Sequence, residues 1–195
     1  MNPSIAHAEE LLTTFNWDVK HCRQVRNLAM MLFDQLPVLH RLTGDERDLL
    51  NAAALLHDIG WTVSHKRHHK HSADLIRENV GQLTGFDSTG IEMIAQIARY
   101  HRRAEPSMDH EAFAKLPASQ RDIVRQLSAF LRVADGLDRP HRQAVRGLLC
   151  ATTDQRVRIG LRVAADPAAH IAGGMRKSGL LATAYGRVVD IVVVS

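Results

Sequence analysis

The run Ala52-Ala53-Ala54-Leu55-Leu56 is apolar on nearly every face of the helix it would form, and it ends in His57-Asp58. A helix that is hydrophobic all round belongs in an interior, so the chain must build a helical body that surrounds it. An imidazole and a carboxylate ending such a helix are costly to bury unless something compensates them. Successive helical side chains point about 100° apart, so these two cannot simply pair with each other. A divalent cation would compensate both.

The first 150 residues supply that body. Residues 4–15 read as a short helix. Asp18 is placed to cap a second helix over about 19–36, with Cys22, Val25, Ala29, Leu32, Phe33 and Leu36 along one stripe. Thr43 and Glu46 form a capping box that opens the helix holding 52–56, and Gly60 is expected to end it as a left-handed cap. A helix is expected over about 70–79. Another starts from Ser88, with Ile91, Ile94, Ala98 and His101 on one face. A third starts from Ser119 and runs through Val124, Leu127, Leu131 and Ala134 to Asp135. A short one is expected over about 141–149.

After Thr152 the period changes. Val157, Ile159, Leu161 and Val163 alternate with Arg156, Arg158, Gly160 and Arg162, as in a half-buried strand with its arginines outward. A helical stretch over about 167–183 and a strand over 188–194 follow. The expected fold is mainly α: a helical domain over 1–150 with a small C-terminal α+β appendage, β-helix-β in order, over 151–195. Two strands alone are marginal in water, so they must pack on a helix or on another chain; their open edges also suit a homodimer.

Composition narrows the function classes. A chain of 195 residues can bury a core without staples, and two cysteines make no disulfide framework, which fits a reduced, cytoplasmic setting. The buried stripe makes Cys22 a structural residue rather than a thiolate. There is no run of 18 apolar residues to span a membrane, and Glu9 and Glu10 stand where a signal peptide needs apolar residues. A net charge of +4 suits a phosphate-bearing ligand, while the lack of a long Lys/Arg block and the 5% aromatic content argue against nucleic acid. No nucleophile-elbow serine or phosphate-cradling glycine loop is present. What stands out is 12 histidines, with His57, His65, His68, His69 and His71 close together. Histidine is the commonest metal ligand.

Three helices offer ligands at core-facing edges. His21 is in step with Val25, Leu28 and Leu32; His57 and Asp58 end the buried helix; Asp135 follows Val124, Ser128 and Leu131 at helical spacing. Mixed imidazole and carboxylate donors suit Mn, Fe, Co, Ni, Zn or Mg without choosing among them.

The order His … His-Asp … Asp on helices resembles the HD-domain superfamily of metal-dependent phosphohydrolases. LLHDIGWTVSHKRHHKHSADLIREN (55–79), IARYHRR (97–103) and LRVADGLDRPH (131–141) are similar to the C-terminal HD region of the Ppx/GppA exopolyphosphatase and guanosine pentaphosphatase family, and the β-helix-β tail is similar too. The resemblance runs from about residue 10 to the end. It implies a helical HD bundle and one or two divalent ions. It adds His68 and His101 as ligands of a second ion, with His69 and His71 as rivals to His68. Asp58 would bridge the two ions. A metal-activated hydroxide would attack a phosphomonoester, nucleotide or phosphodiester. Lys66, Arg102, Arg103 and Arg139 lie beside ligand positions, and Arg102, directly after His101, is the foremost phosphate contact. Trp61 is read as a packing residue rather than a platform for a base.

The family's actin-like domain, which carries its phosphatase chemistry, has no counterpart in these residues. Exopolyphosphatase activity is therefore not carried over, and the retained ligand set points to a standalone domain with its own chemistry. The other reading is a regulatory module that binds polyphosphate or a guanosine polyphosphate, or that partners a separate actin-like domain. A purely structural role through the strands is the third.

Overall fold

The computed structural model describes residues 2–194 and is mainly helical, with ten α-helices and a three-stranded sheet among them. At its centre is α4 (Gly44–Leu56), whose residues from Leu50 to Leu56 are all buried. Around it pack α1 (Pro3–Phe15), α2 (Val19–Gln35), α6 (Ser88–Arg99) and α8 (Ala118–Leu137). Each fully buried leucine of α4 contributes about 1.5–3 kcal/mol relative to exposure, which is what draws the His57-Asp58 end inside. The α4 start is fixed as the sequence predicts: the Thr43 N–H donates to Glu46 Oε2 at 2.7 Å. Short helices α3 (Pro37–His40) and α7 (Glu111–Ala114) complete the body with α5 (His68–Glu78).

Several boundaries differ from the sequence reading. Gly60 is not a left-handed cap. It lies in a 3₁₀ turn over Ile59–Thr62, where its missing side chain allows a close approach. A Cβ there would lie 2.2 Å from the His68 carbonyl oxygen and 2.4 Å from Ser72 N. The Gly60 N–H donates to Ser72 Oγ at 2.9 Å, tying the end of the central helix to α5. That helix begins at His68, so His68 and His69 stand on a first helical turn rather than in a loop. Asp87, not Ser88, caps α6, accepting from the Gly90 N–H at 2.7 Å, and His101 lies just beyond the helix end. The start of α8 is at Ala118, after Pro117, instead of at Ser119.

The expected helix over 141–149 does not form; its residues enter β1 (Val145–Thr152). Val145, Leu148 and Leu149 mimic helical spacing because a register shift between Val145 and Gly147 breaks the period of two. β1 is antiparallel to β2 (Arg156–Val163), and β2 is parallel to β3 (Val188–Val193), giving the order β1-β2-β3. On β2 the arginines face outward and Val157, Ile159 and Leu161 inward, as expected. The crossover carries two helices in place of one, α9 (Ala168–Lys177) and α10 (Gly179–Tyr185). No helix is long and apolar enough to cross a membrane.

α9 packs along α8 at glycine-to-glycine distance. A Cβ at Gly173 would lie 2.1 Å from the Gly136 carbonyl oxygen, and one at Gly136 would lie 2.5 Å from that of Gly173. The C-terminal unit thereby meets α8 one residue after Asp135.

Candidate metal centre

Five elements deliver their side chains to one buried point. His21 stands on the first turn of α2, where Asp18 accepts from its backbone N–H at 3.2 Å. His57 ends α4 and Asp58 follows it with φ −113° and ψ 3°, off the helical path. This break turns the Asp58 carboxylate back toward the imidazoles. His68 opens α5, His101 follows α6, and Asp135 is on the last turn of α8. All six side chains are buried.

Every imidazole of the set is held by Nδ1. His21 Nδ1 is 2.9 Å from Asp138 Oδ2, His57 Nδ1 2.8 Å from Ala54 O, His101 Nδ1 2.7 Å from Ala98 O, and His68 Nδ1 3.3 Å from His65 O. With Nδ1–H donating outward, each ring turns the lone pair of Nε2 inward, the tautomer that binds metal.

The Asp58 carboxylate faces two pairs of rings. Oδ2 is 3.9 Å from His21 Nε2 and 3.7 Å from His57 Nε2. Oδ1 is 3.3 Å from His68 Nε2 and 3.4 Å from His101 Nε2. His21 Nε2 is also 3.6 Å from Asp135 Oδ1. The ligand atoms of His21, His57 and Asp135 lie within 4.8 Å of one another, as do those of Asp58, His68 and His101. His21 Nε2, His57 Nε2 and Asp58 Oδ1 are buried and without hydrogen-bond partners. Orphaned buried donors and acceptors are costly, and donors separated by about 3–4 Å suit ligands placed about 2.1 Å from a shared ion. The residues therefore fit a divalent cation in each group.

Electrostatics agree. Burial pushes His57 and His101 below their ordinary range and His68 down to about 4, which keeps them in the neutral, ligating form. His21 is the exception. Burial opposes its charge, yet the nearby Asp135 carboxylate and the hydrogen-bonded Asp138, with Asp58 close by, raise it to about 10. The carboxylates demand positive charge at this spot; an imidazolium supplies it, and a divalent ion would supply it instead. Burial also works against the Asp135 charge, but the Lys177 ammonium and His21 hold its carboxyl well below the usual range.

The turn bearing His101, Arg102 and Arg103 is clamped from α8. Buried Arg132 donates to the Tyr100 carbonyl at 2.8 Å and to that of Arg103 at 3.3 Å. Arg102 reaches back to His68, with its terminal nitrogen 3.1 Å from Nε2. A cavity of about 230 Å³ opens over the centre, lined by Asp58, His68, His101, Asp135 and a set of cations that includes Arg102, Arg103 and Arg139. Lys66 is not on its wall; it lines an adjoining cavity with His65, Arg67 and His69, which Arg102 and Arg103 share. The structure brings His68 rather than His69 or His71 to the second ligand group. Trp61 stands between two rings, 4.4 Å from His68 and 5.2 Å from Trp17 by centroid, with planes within 18° and 10°. Its faces are covered, consistent with packing. Burial raises the Cys22 thiol well above its ordinary value, as befits a structural residue.

Sequence reasoning missed three residues. Asp138 orients His21, and its spacing of three from Asp135, at the end of α8, is the available signal. Lys177 pairs with Asp135 and donates to the His101 carbonyl at 3.3 Å, and Arg176 lines the cavity. Nothing local in the sequence marks these two, since they reach the site only through the docking of α9.

The family model for "Ppx/GppA phosphatase, domain III" matches residues 5–171. The chain belongs to the Ppx/GppA phosphatase family. Relatives named guanosine-5'-triphosphate,3'-diphosphate pyrophosphatase are similar to part of this chain. That of Pseudoalteromonas atlantica is 30% identical over 121 residues, 62% of this chain and 23% of that protein. That of Aeromonas hydrophila is 29% identical over 128 residues, 65% and 25% respectively. That of Aeromonas salmonicida is 36% identical over 91 residues, 46% and 18%. The matches span between 18% and 25% of the length of these relatives. Of the site residues, His21, His57, Asp58, His68, His101 and Asp135 lie within the matched Ppx/GppA domain, whereas Arg176 and Lys177 lie beyond it.

Proposed function

We propose that this Ppx/GppA domain is a metal-dependent phosphohydrolase of the HD type, cleaving a phosphomonoester, nucleotide or phosphodiester. The observation that carries this reading is the two-sided placement of Asp58, with one oxygen toward His21 and His57 and the other toward His68 and His101. A carboxylate that serves two groups of buried donors suits a bridging ligand between two ions. His21, His57, Asp58 and Asp135 would hold one ion, and Asp58, His68 and His101 the second. Bound there, divalent ions would supply an acidified water for attack at phosphorus and neutralise the phosphate oxygens.

The chain's own residues do the rest. Asp138 and the backbone carbonyls of Ala54, His65 and Ala98 hold the imidazoles so that nothing reorganises when a ligand arrives. Arg102 sits at the cavity wall beside His68 and can grip a phosphate bidentately. Lys66 and Arg67 add positive charge in the adjoining cavity, where the far end of a longer phosphorylated ligand would run. The names of the relatives favour a phosphorylated guanosine nucleotide among the candidates to be tried.

The test is metal content by elemental analysis, followed by turnover of a phosphoester and nucleotide panel with Mn, Co, Ni or Mg. Turnover with at least one ion is expected, and Asp58→Ala should lose both ion retention and turnover. Metal-loaded protein that cleaves nothing would overturn catalysis in favour of a phosphate-binding regulatory role.

A further inference from the structure

The cavity over the metal centre is lined by five cationic side chains: Arg102 and Arg103 from the turn after α6, Arg139 from just beyond α8, and Arg176 and Lys177 from the end of α9. The carboxylates on its wall are Asp58 and Asp135, both ligands of the centre. Four arginines outside the cavity pair with carboxylates: Arg23 with Glu9, Arg47 with Asp34, Arg77 with Glu92, Arg156 with Asp190. Among the described residues, none of the four cavity arginines makes such a pair. Lys177 is paired with Asp135; the arginines gathered around it repel one another, and a low-dielectric concavity concentrates their field on an incoming anion.

Two of these cations, Arg176 and Lys177, come from the C-terminal unit. The contact of Gly136 with Gly173 seats α9 against α8, and the last two residues of α9 then overhang Asp135. A preference for cations at a helix C-terminus accounts for Arg176 and Lys177 as residue types. It does not account for their aim into a cavity that holds two carboxylates and three further arginines. A carboxylate ligand would be satisfied by one guanidinium fork; several converging cations suit the larger oxygen set of a phosphate.

We propose that the C-terminal unit completes the pocket, with Arg139, Arg176 and Lys177 forming a phosphate-binding subsite beside the metal centre. The appendage is thus part of the binding site. The proposal deepens the hydrolase reading and rests on it for the ligand class, but the subsite itself requires no ion.

The experiment titrates inorganic phosphate calorimetrically into the full chain, once with its divalent ion and once after chelation. Saturable binding is expected in both states. Arg176→Ala and Lys177→Met should each weaken it about tenfold or more, the value of a lost charge-assisted contact, and Lys177→Arg should restore most of it. Arg176 makes no ion pair with the described residues, so its variant separates ligand binding from folding. Phosphate binding confined to the ion-loaded state, binding undiminished in both variants, or no saturable binding would each overturn the subsite. A chain that retains no ion and turns nothing over would defeat the hydrolase reading, while the chelated titration would still decide this one.

Discussion

His21 Nδ1 lies 2.9 Å from the Asp138 carboxylate, and both side chains are fully buried. The same carboxylate accepts from the Gln143 backbone N–H at 2.8 Å, so it is fixed from a second direction and fixes the ring in turn. Partners of this kind set the orientation and basicity of a ligating imidazole. Asp138→Asn keeps the shape and the acceptor but removes the charge. It is expected to lower divalent-ion affinity by about 10- to 100-fold with little change in the far-ultraviolet spectrum. Ion titration of the two proteins checks this, and equal affinities would show that Asp138 does not support the ligand.

Both tryptophans of the chain are at the site, Trp17 stacked on Trp61 and Trp61 on His68. Tryptophan emission, excited beyond the tyrosine band, therefore reports the centre with no indole elsewhere in the chain. Emission should fall on addition of Co or Ni, whose open d shells quench a nearby indole. Trp61→Phe should lose most of the response and Trp17→Phe less of it. A saturable ion-binding isotherm with no change in emission would contradict the placement of His68 in the ligand set.

The candidate metal-binding side chains from α2, α4 and α8 are legible because burial imposes a helical period, and an ionisable residue in step with that period must face inward. His21 and Asp135 were visible this way, and His57-Asp58 by interrupting an apolar run. The strand β1 was not, because the shift between Val145 and Gly147 leaves Val145, Leu148 and Leu149 at intervals that also suit a helix. Gly60 makes room for α5 and has no positive φ; a sequence marks a glycine but does not say whether it frees a dihedral angle or admits a neighbour. Arg176 and Lys177 were invisible because their role depends on the docking of α9, which is set by Gly136 and Gly173 at 37 residues' separation.

The close approach at Gly60 yields a stability prediction. Gly60→Ala would set a Cβ against the backbone of His68 and Ser72, at 2.2 and 2.4 Å. Backbone cannot swing aside as a flexible side chain does, so α5 must shift. The expected cost is about 1–3 kcal/mol, as for other overpacking changes, read as a lower urea midpoint with an unchanged slope. Because His68 heads α5, ion affinity should fall in parallel. A variant as stable as the parent would show that this contact is looser than the structure places it.

Away from the centre, His40 on α3 gives the protein an acid-sensitive joint. It is buried, stacked on Phe33 at 4.1 Å and edge-on to Phe130 at 5.7 Å. Its Nε2–H donates to the Phe33 carbonyl at 2.9 Å, and Nδ1 accepts from the Leu42 N–H at 2.9 Å. Protonation would point an Nδ1–H at another N–H. Burial lowers the His40 pKa, while the Phe33 carbonyl and the facing charges of Asp34 and Glu46 oppose that shift without cancelling it. The unfolded chain, with His near 6.5, therefore takes up the proton before the folded one does. Stability from this group is intact above about pH 6.5 and is lost progressively as the pH falls below it. Thermal unfolding followed from about pH 7.5 to 5 should show a declining midpoint, and His40→Leu should show a shallower decline from a lower starting value. The variant's curve should not become flat, because burial also holds His68 and His69 down to about 4. A variant with the parent's slope would mean that His40 does not resist protonation in the folded protein.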